Sequence, residues 1–160
     1  MTILITGATG SLGKVIVDLL IKEFGKTNPH LNEKLILLGH SEKRADSLRV
    51  LYGIPVFVGD IQSEIFLHKI FRAHKIEKII HTAAIKYISI SNDNPTSTVE
   101  TNIIGSYNLI RFAQKYNVKE MVGLSTDKAI NPISVYGMTK KIMELMFIES
   151  GYTVVSGVNF

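Results

Sequence analysis

What most limits the folds open to this chain is its alternation of short apolar runs with amphipathic stretches. Six runs are strand-sized: Ile3-Leu4-Ile5, Leu35-Ile36-Leu37-Leu38, Val56-Phe57-Val58, Lys78-Ile79-Ile80, Met121-Val122-Gly123-Leu124 and Thr153-Val154-Val155. Helical patterns occupy residues 12–24, 41–51, 64–74, 95–116 and 136–150 between them. Apolar strands alternating with helices predict an α/β fold, a parallel sheet with helices on both faces. With 160 residues, 46% of them hydrophobic, the chain suits one domain over residues 1–160. In the first helix Val15, Leu19 and Leu20 fall at helical spacing and are expected to bury one stripe. Ser41 is expected to cap the second helix, and Pro95 to stand early in the fourth. Residues 26–32 read as a polar loop before the second strand.

The first strand runs into Thr6-Gly7-Ala8-Thr9-Gly10-Ser11-Leu12-Gly13 and then a helix. Glycines there permit a tight turn, close approach of backbone to a pyrophosphate, and close helix–strand packing. The helix N-terminus adds free amides and a positive dipole end. Gly7, Thr9, Gly10, Ser11, Leu12 and Gly13 are therefore expected to cradle a dinucleotide, in a Rossmann-type doubly wound sheet. The tip of the second strand should choose between the nicotinamide cofactors, because an acid there would repel a 2′-phosphate. The residues are Gly39, His40 and Ser41, with Lys43 and Arg44 close behind. That set favours NADP over NAD. Glu42 works against it, and Lys43 and Arg44 also suit a solvated helix face.

Net charge is +4, with the basic residues dispersed rather than massed, which argues against nucleic acid and fits a small anionic ligand. Cysteine is absent and the five histidines lack ligand spacing, so no metal site is expected. No long uncharged apolar segment is present, and the chain opens directly into a strand. A cytoplasmic protein without membrane contact is the expectation.

The chemistry concentrates in Leu124-Ser125-Thr126-Asp127-Lys128-Ala129 and Tyr136-Gly137-Met138-Thr139-Lys140. Tyr136 and Lys140 are four apart and share a helix face. A phenol beside an ammonium is easier to ionise, and a phenolate can take the proton of an alcohol while a nicotinamide takes its hydride. The pattern points to chemistry on an alcohol.

Together these motifs resemble the extended short-chain dehydrogenase/reductase superfamily. The runs His81-Thr82-Ala83-Ala84-Ile85-Lys86, Thr101-Asn102 and Ser125-Thr126-Asp127-Lys128-Ala129-Ile130-Asn131-Pro132 narrow the likeness. They resemble the nucleotide-sugar 4,6-dehydratases of polysaccharide and flagellin-sugar synthesis, above all the UDP-N-acetylglucosamine 4,6-dehydratases that invert C5. Retaining dehydratases typically carry Asp-Glu where this chain has Asp127-Lys128.

The resemblance implies a set of roles. Tyr136 would take the C4 hydroxyl proton, with Lys140 lowering its pKa and holding the nicotinamide ribose. Thr126 would bond the same hydroxyl. Lys128, as neutral amine, would take the C5 proton, and Asp127, protonated, would assist departure of the C6 hydroxyl. Asp60 and Ile61 would meet the adenine, with a helix cap as the rival role for Asp60. Ala83 and Ala84 would line the cofactor and Lys86 would reach toward substrate, unless Lys86 is a plain surface lysine. Asn102 would orient a helix, and His81 is expected in the core.

Family members are typically about twice this long, their second half forming a substrate lobe. The chain here runs to Val158-Asn159-Phe160, at the expected close of the sixth strand, so it is expected to be the cofactor-binding part of a longer enzyme. The rival readings are a nucleotide-sugar 4-epimerase or C5-retaining dehydratase, and a non-catalytic NADP-binding module. Oligomers are common in the superfamily through the long fourth and fifth helices. Met138, Ile142, Met143 and Met146 suit such a contact or simple core packing.

Overall fold

The computed structural model describes Met1 to Ser156. The expected end of the chain at Val158-Asn159-Phe160 lies outside the described residues. Six strands form one sheet: β1 (Ile3–Thr6), β2 (Leu35–Gly39), β3 (Val56–Val58), β4 (Lys78–His81), β5 (Glu120–Leu124) and β6 (Thr153–Val155). Their order is β3-β2-β1-β4-β5-β6 and every pairing is parallel. All six apolar runs seen in the sequence became strands. The order reverses between β1 and β4, and the crevice outside their carboxyl ends is where such sheets bind ligands.

β1 and β2 are buried along their whole length because both faces of the sheet are covered. Period-two alternation then divides their side chains. Ile3, Ile5, Leu35 and Leu37 join one apolar cluster with Val17, Ile21 and Ile54. Leu4, Ile36 and Leu38 point the other way, into a second cluster with Leu67, Phe71, Leu109, Phe112 and Phe147.

Helix α1 (Ser11–Phe24) covers the first cluster. Its buried stripe differs from the one expected from spacing. Gly13, Val17 and Ile21 are buried, whereas Val15 and Leu19 are exposed and Leu20 is half-buried. Two stripes of equal spacing exist on this helix, and close packing at Gly13 selects the one that continues from it. A one-turn helix, α2 (Leu31–Lys34), follows the polar loop, and α3 (Glu42–Tyr52) begins at its cap Ser41, whose Oγ accepts from the Arg44 amide. Helix α4 (Glu64–Ala73) is capped by Ser63.

The stretch expected as one helix over 95–116 is a helix with a fault in it. An unforeseen helix α5 (Ile88–Asp93) precedes it. Then α6 (Pro95–Val99), with Pro95 in its first turn as expected, widens into a π turn (Glu100–Ile104) and resumes as α7 (Gly105–Lys115). The Gly105 amide donates to the Glu100 carbonyl, five residues back, which marks the widened turn. A short 3₁₀ turn (Asp127–Ala129) leads to α8 (Val135–Glu149), capped by Ser134. Helices α4, α7 and α8 contribute to the second cluster. Met143 and Phe147 of α8 are buried there, while Met138 and Ile142 face outward and Met146 is half-buried.

Candidate active site

At the end of β1 the chain turns at Gly7, whose φ of +71° lies in the left-handed region. A Cβ at Gly7 would stand 2.6 Å from the Ala83 amide nitrogen, so the loop lies directly against the end of β4. A Cβ at Gly13 would collide with the Gly7 carbonyl oxygen. The Gly10 amide closes the turn on that same carbonyl at 2.8 Å.

Helices α3, α4 and α8 each have a serine hydroxyl at their N-caps. Helix α1 has none, and no acid stands in its first turn. Its opening amides and dipole are left for an outside anion. This cradle, closed to any side chain at Gly7 and Gly13, fits the pyrophosphate of a dinucleotide. Thr9 covers Gly39, where any Cβ would strike its side chain, and so ties the phosphate loop to the tip of β2.

Beyond that tip, His40 and Asp60 meet: His40 Nδ1 lies 2.8 Å from Asp60 Oδ1, and both side chains are largely exposed. Asp60 does not cap α4, since Ser63 does. Ser41, Lys43 and Arg44 stand at the start of α3 on the same rim. The Ile61 side chain is buried in the core, packed where Gly105 leaves room for it. Sequence reading passed over His40 as a partner of Asp60, because twenty residues separate them and only adjacent strand ends bring them together.

The end of β4 is fastened from two sides. His81 is fully buried, bonded to Thr6 Oγ1 at 2.7 Å and Ser106 Oγ at 2.9 Å, with its ring stacked on Phe147. Burial first, then the Lys140 charge, pushes its pKa down to about 3, so the ring stays neutral. Thr82 donates to the Thr6 carbonyl. Ala83 and Ala84 follow, partly buried beside Gly7, and Lys86 is exposed with its ammonium over the Tyr87 ring.

Asn102, buried in the π turn, accepts from the Ile85 amide and donates to the Ile85 carbonyl and Thr139 Oγ1. The widened turn thereby pins the loop after β4 to helix α8. The expected structural role of Asn102 matches these bonds.

Thr126, Asp127 and Lys128 leave the end of β5, and Asp127 and Lys128 face an open cleft of about 520 Å³. Ile88, Asn92, Ile130, Ile133 and Ser134 share its walls. Lys128 Nζ is 2.6 Å from Asp127 Oδ2, and Thr126 Oγ1 donates to Asp127 Oδ1 at 3.0 Å. The hydrogen bond from Lys128, then that from Thr126, holds the Asp127 carboxyl below the usual carboxylate range. The free site thus holds an ion pair, not the protonated acid and neutral amine the resemblance implies.

Tyr136 lies one residue into α8, half-buried. Burial, and behind it the Asp127 charge, pushes its phenol up, opposed chiefly by the neighbouring Thr126 hydroxyl and more weakly by the Lys128 charge. Lys140, a turn further on, is buried, and its ammonium donates to the Leu124 carbonyl and contacts Met143 Sδ. Burial brings its pKa down to about 8. In the free site Lys140 serves the end of β5, and the cations and hydroxyls acting on the phenol are Thr126 and Lys128.

Four cleft residues went unnoticed in the sequence: Ile88, Asn92, Ile133 and Ser134. Asn92 accepts from the Val135 amide at 3.1 Å and so joins α5 to the start of α8. Its only sequence signal was the polar run Ser91-Asn92-Asp93-Asn94, which reads equally well as a loop.

The family model described as polysaccharide biosynthesis protein matches residues 3–158. The chain belongs to this family. An uncharacterized membrane protein of Methanocaldococcus jannaschii is 36% identical over 93% of the chain and 43% of its own length. The UDP-N-acetylglucosamine 4,6-dehydratase (inverting) of Campylobacter jejuni is 34% identical over 92% of the chain and likewise 43% of its own length. Among solved structures, the UDP-glucose 4-epimerase of Thermotoga maritima superposes with a TM-score of 0.81 at 27% identity, over 96% of the chain and 54% of that protein.

The chain therefore spans less than half the length of these curated relatives. The family is one of nucleotide-sugar dehydratases and epimerases, and its short-chain dehydrogenase/reductase-like fold is the one expected from sequence. No described helix is long and apolar enough to cross a membrane.

Proposed function

We infer that this chain is the cofactor-binding and catalytic part of a nucleotide-sugar 4,6-dehydratase acting on UDP-N-acetylglucosamine with inversion at C5. The observation that carries the reading is the Asp127–Lys128 pair in the cleft beside Tyr136, an acid and a base placed for elimination next to a base placed for alcohol oxidation. A 4-epimerase needs the second and has no use for the first. Bound NADP supplies the hydride acceptor at C4 and the donor at C6.

The chain's own residues do the rest. Tyr136 takes the C4 hydroxyl proton, helped by Thr126 and by Lys140, which holds the ribose. Oxidation at C4 acidifies the C5 proton. Transfer of one proton across the 2.6 Å contact turns the resting ion pair into neutral amine and carboxylic acid, with no change in net charge. Covering the cleft with substrate favours this form, because desolvation penalises charges. Lys128 then takes the C5 proton, Asp127 gives its proton to the departing C6 hydroxyl, and water leaves. The ion pair is restored by the same step.

Ser41, Lys43 and Arg44 suit a 2′-phosphate, Asp60 the adenine amino group, and Lys86 the substrate. Beside the active groups, the π turn, α7 and α8 expose Ile104, Tyr107, Met138, Ile142 and Leu145. Along the π turn and α7 this stripe runs from Glu100 to Arg111, so a second copy laid antiparallel sets each acid against the partner's base. The working form is a homo-oligomer in the cytoplasm.

Proton NMR of the protein with UDP-N-acetylglucosamine in deuterated water tests the reading. A 4-keto-6-deoxy product carrying deuterium at an inverted C5 supports it. Retained configuration points to the retaining dehydratases, and a C4 epimer to the epimerases. In the full-length gene product, nucleotide bound without turnover points to another sugar substrate or to a binding module.

A further inference from the structure

The turn of α8 that carries Tyr136 is held by a buried chain of hydrogen bonds that begins outside the helix. Both hydrogens of Asn102 Nδ2 are taken, by the Ile85 carbonyl and by Thr139 Oγ1, each at 3.0 Å. Thr139 donates in turn to the Tyr136 carbonyl at 2.9 Å. Asn102 is 1% and Thr139 2% exposed, so water does not stand in for either partner.

A threonine bonded to the carbonyl three residues back is common on helices, and by itself that bond is local. Here the same oxygen accepts from the π turn. The hydroxyl is thus oriented from another element, and the two bonds polarise each other. A second contact lies next door in sequence. A Cβ at Gly137 would strike the Lys128 carbonyl, so the start of α8 rests directly on the 3₁₀ turn. Two contacts on different sides fix the orientation of this turn, which one contact leaves free to pivot.

We propose that Thr139 is a positioning residue for the Tyr136 phenol, its hydroxyl locking the Tyr136 backbone between the π turn and the Thr126–Lys128 segment. The inference rests on Tyr136 being the base of the function proposed above. Thr139→Val keeps the size of the side chain, removes both bonds and leaves one Asn102 hydrogen buried and unpaired. Thr139→Ser keeps both bonds. The pair of variants isolates the hydroxyl from the packing of the methyl group.

The phenol can be followed without substrate or cofactor. In protein labelled with carbon-13 at tyrosine Cζ, the Tyr136 resonance is the one lost in Tyr136→Phe. Thr139→Val should move it and leave the other tyrosine signals in place, whereas Thr139→Ser should move none. Thr126→Val should shift the Tyr136 signal in the otherwise unaltered protein and far less beside Thr139→Val, because the phenol has then left the Thr126 hydroxyl. An unmoved Tyr136 signal in Thr139→Val, or equal movement in Thr139→Ser, overturns the proposal. Should Thr139→Val not fold, Thr139→Ala is read by the same signals.

Kinetics of the full-length gene product with UDP-N-acetylglucosamine give the second readout. Thr139→Val should lower kcat by about tenfold or more with KM changed by less than about twofold, the mark of a misplaced reacting group. Thr139→Ser should keep kcat within about threefold of the unaltered protein. An unchanged kcat in Thr139→Val overturns the proposal. Absence of turnover in every form, with the carbon signals as expected, removes the dehydratase reading and leaves the hold of Thr139 on Tyr136 standing.

Discussion

Lys128 Nζ and Asp127 Oδ2 lie 2.6 Å apart at the mouth of the cleft, as an ion pair between sequence neighbours. Adjacent residues rarely face each other, and here the 3₁₀ turn of 127–129 brings both heads to one side. If the pair works as one proton-sharing unit, each half is needed for elimination and neither for oxidation at C4. Lys128→Ala and Asp127→Asn should both retain oxidation of the sugar, seen as reduced cofactor absorbance. Dehydration should drop by about a hundredfold or more in each, the usual scale for a lost general acid or base. Full dehydration by Lys128→Ala, read by NMR of the product, would remove Lys128 from the mechanism.

Gly13 is where helix α1 meets the phosphate loop, and a methyl group there runs into the Gly7 carbonyl. Backbone cannot yield as a side-chain tip can. Gly13→Ala should lower stability by about 1–3 kcal/mol, the range for overpacking. It should also weaken dinucleotide binding by more than that loss of folded protein explains. Denaturant melts together with calorimetry separate the two effects.

His81 gives the protein an acid sensitivity of calculable sign. Its folded pKa, about 3, lies below the unfolded value of 6.5. Between those values the unfolded chain binds more protons, so stability is fully present above the unfolded pKa and drains away as pH falls toward the folded one. From pH 7 to pH 5 the loss due to His81 should be about 2 kcal/mol. Urea melts of the unaltered protein and His81→Asn at both pH values test this: the variant, less stable at pH 7, should lose less on acidification.

The outer face of α8 carries Ile142 and Leu145 in the open. A charge at Ile142 should leave the monomer folded, because the side chain contributes to neither apolar cluster. Sedimentation of Ile142→Glu should show a smaller species than the unaltered protein, with an unchanged circular dichroism spectrum. A monomer in both cases would discard the proposed antiparallel contact.

The strands were legible because each is a short apolar run, and burial on both faces of a parallel sheet demands nothing subtler. The phosphate loop was legible for a related reason: its glycines are required by local sterics, and the clash at Gly13 is with a carbonyl only six residues away. The chemistry of Thr126, Asp127, Lys128, Tyr136 and Lys140 was likewise written in a short span. What the residues did not carry was which of two equivalent stripes α1 would bury, since Val15 and Val17 are equally apolar and only packing at Gly13 separates them. Nor did they carry the π turn, whose widening is repaid by the bonds of Asn102 to Ile85 and Thr139, seventeen and thirty-seven residues away.

The sequence by itself determined the sheet, the cradle and the set of reactive groups, because each depends on neighbours along the chain. Tertiary structure decided their longer-range partners: the neutral His81, the Lys140 ammonium turned to Leu124, and the contact of Asp60 with His40. Those depend on burial and on contacts across strand ends, which exist only once the chain has closed around them.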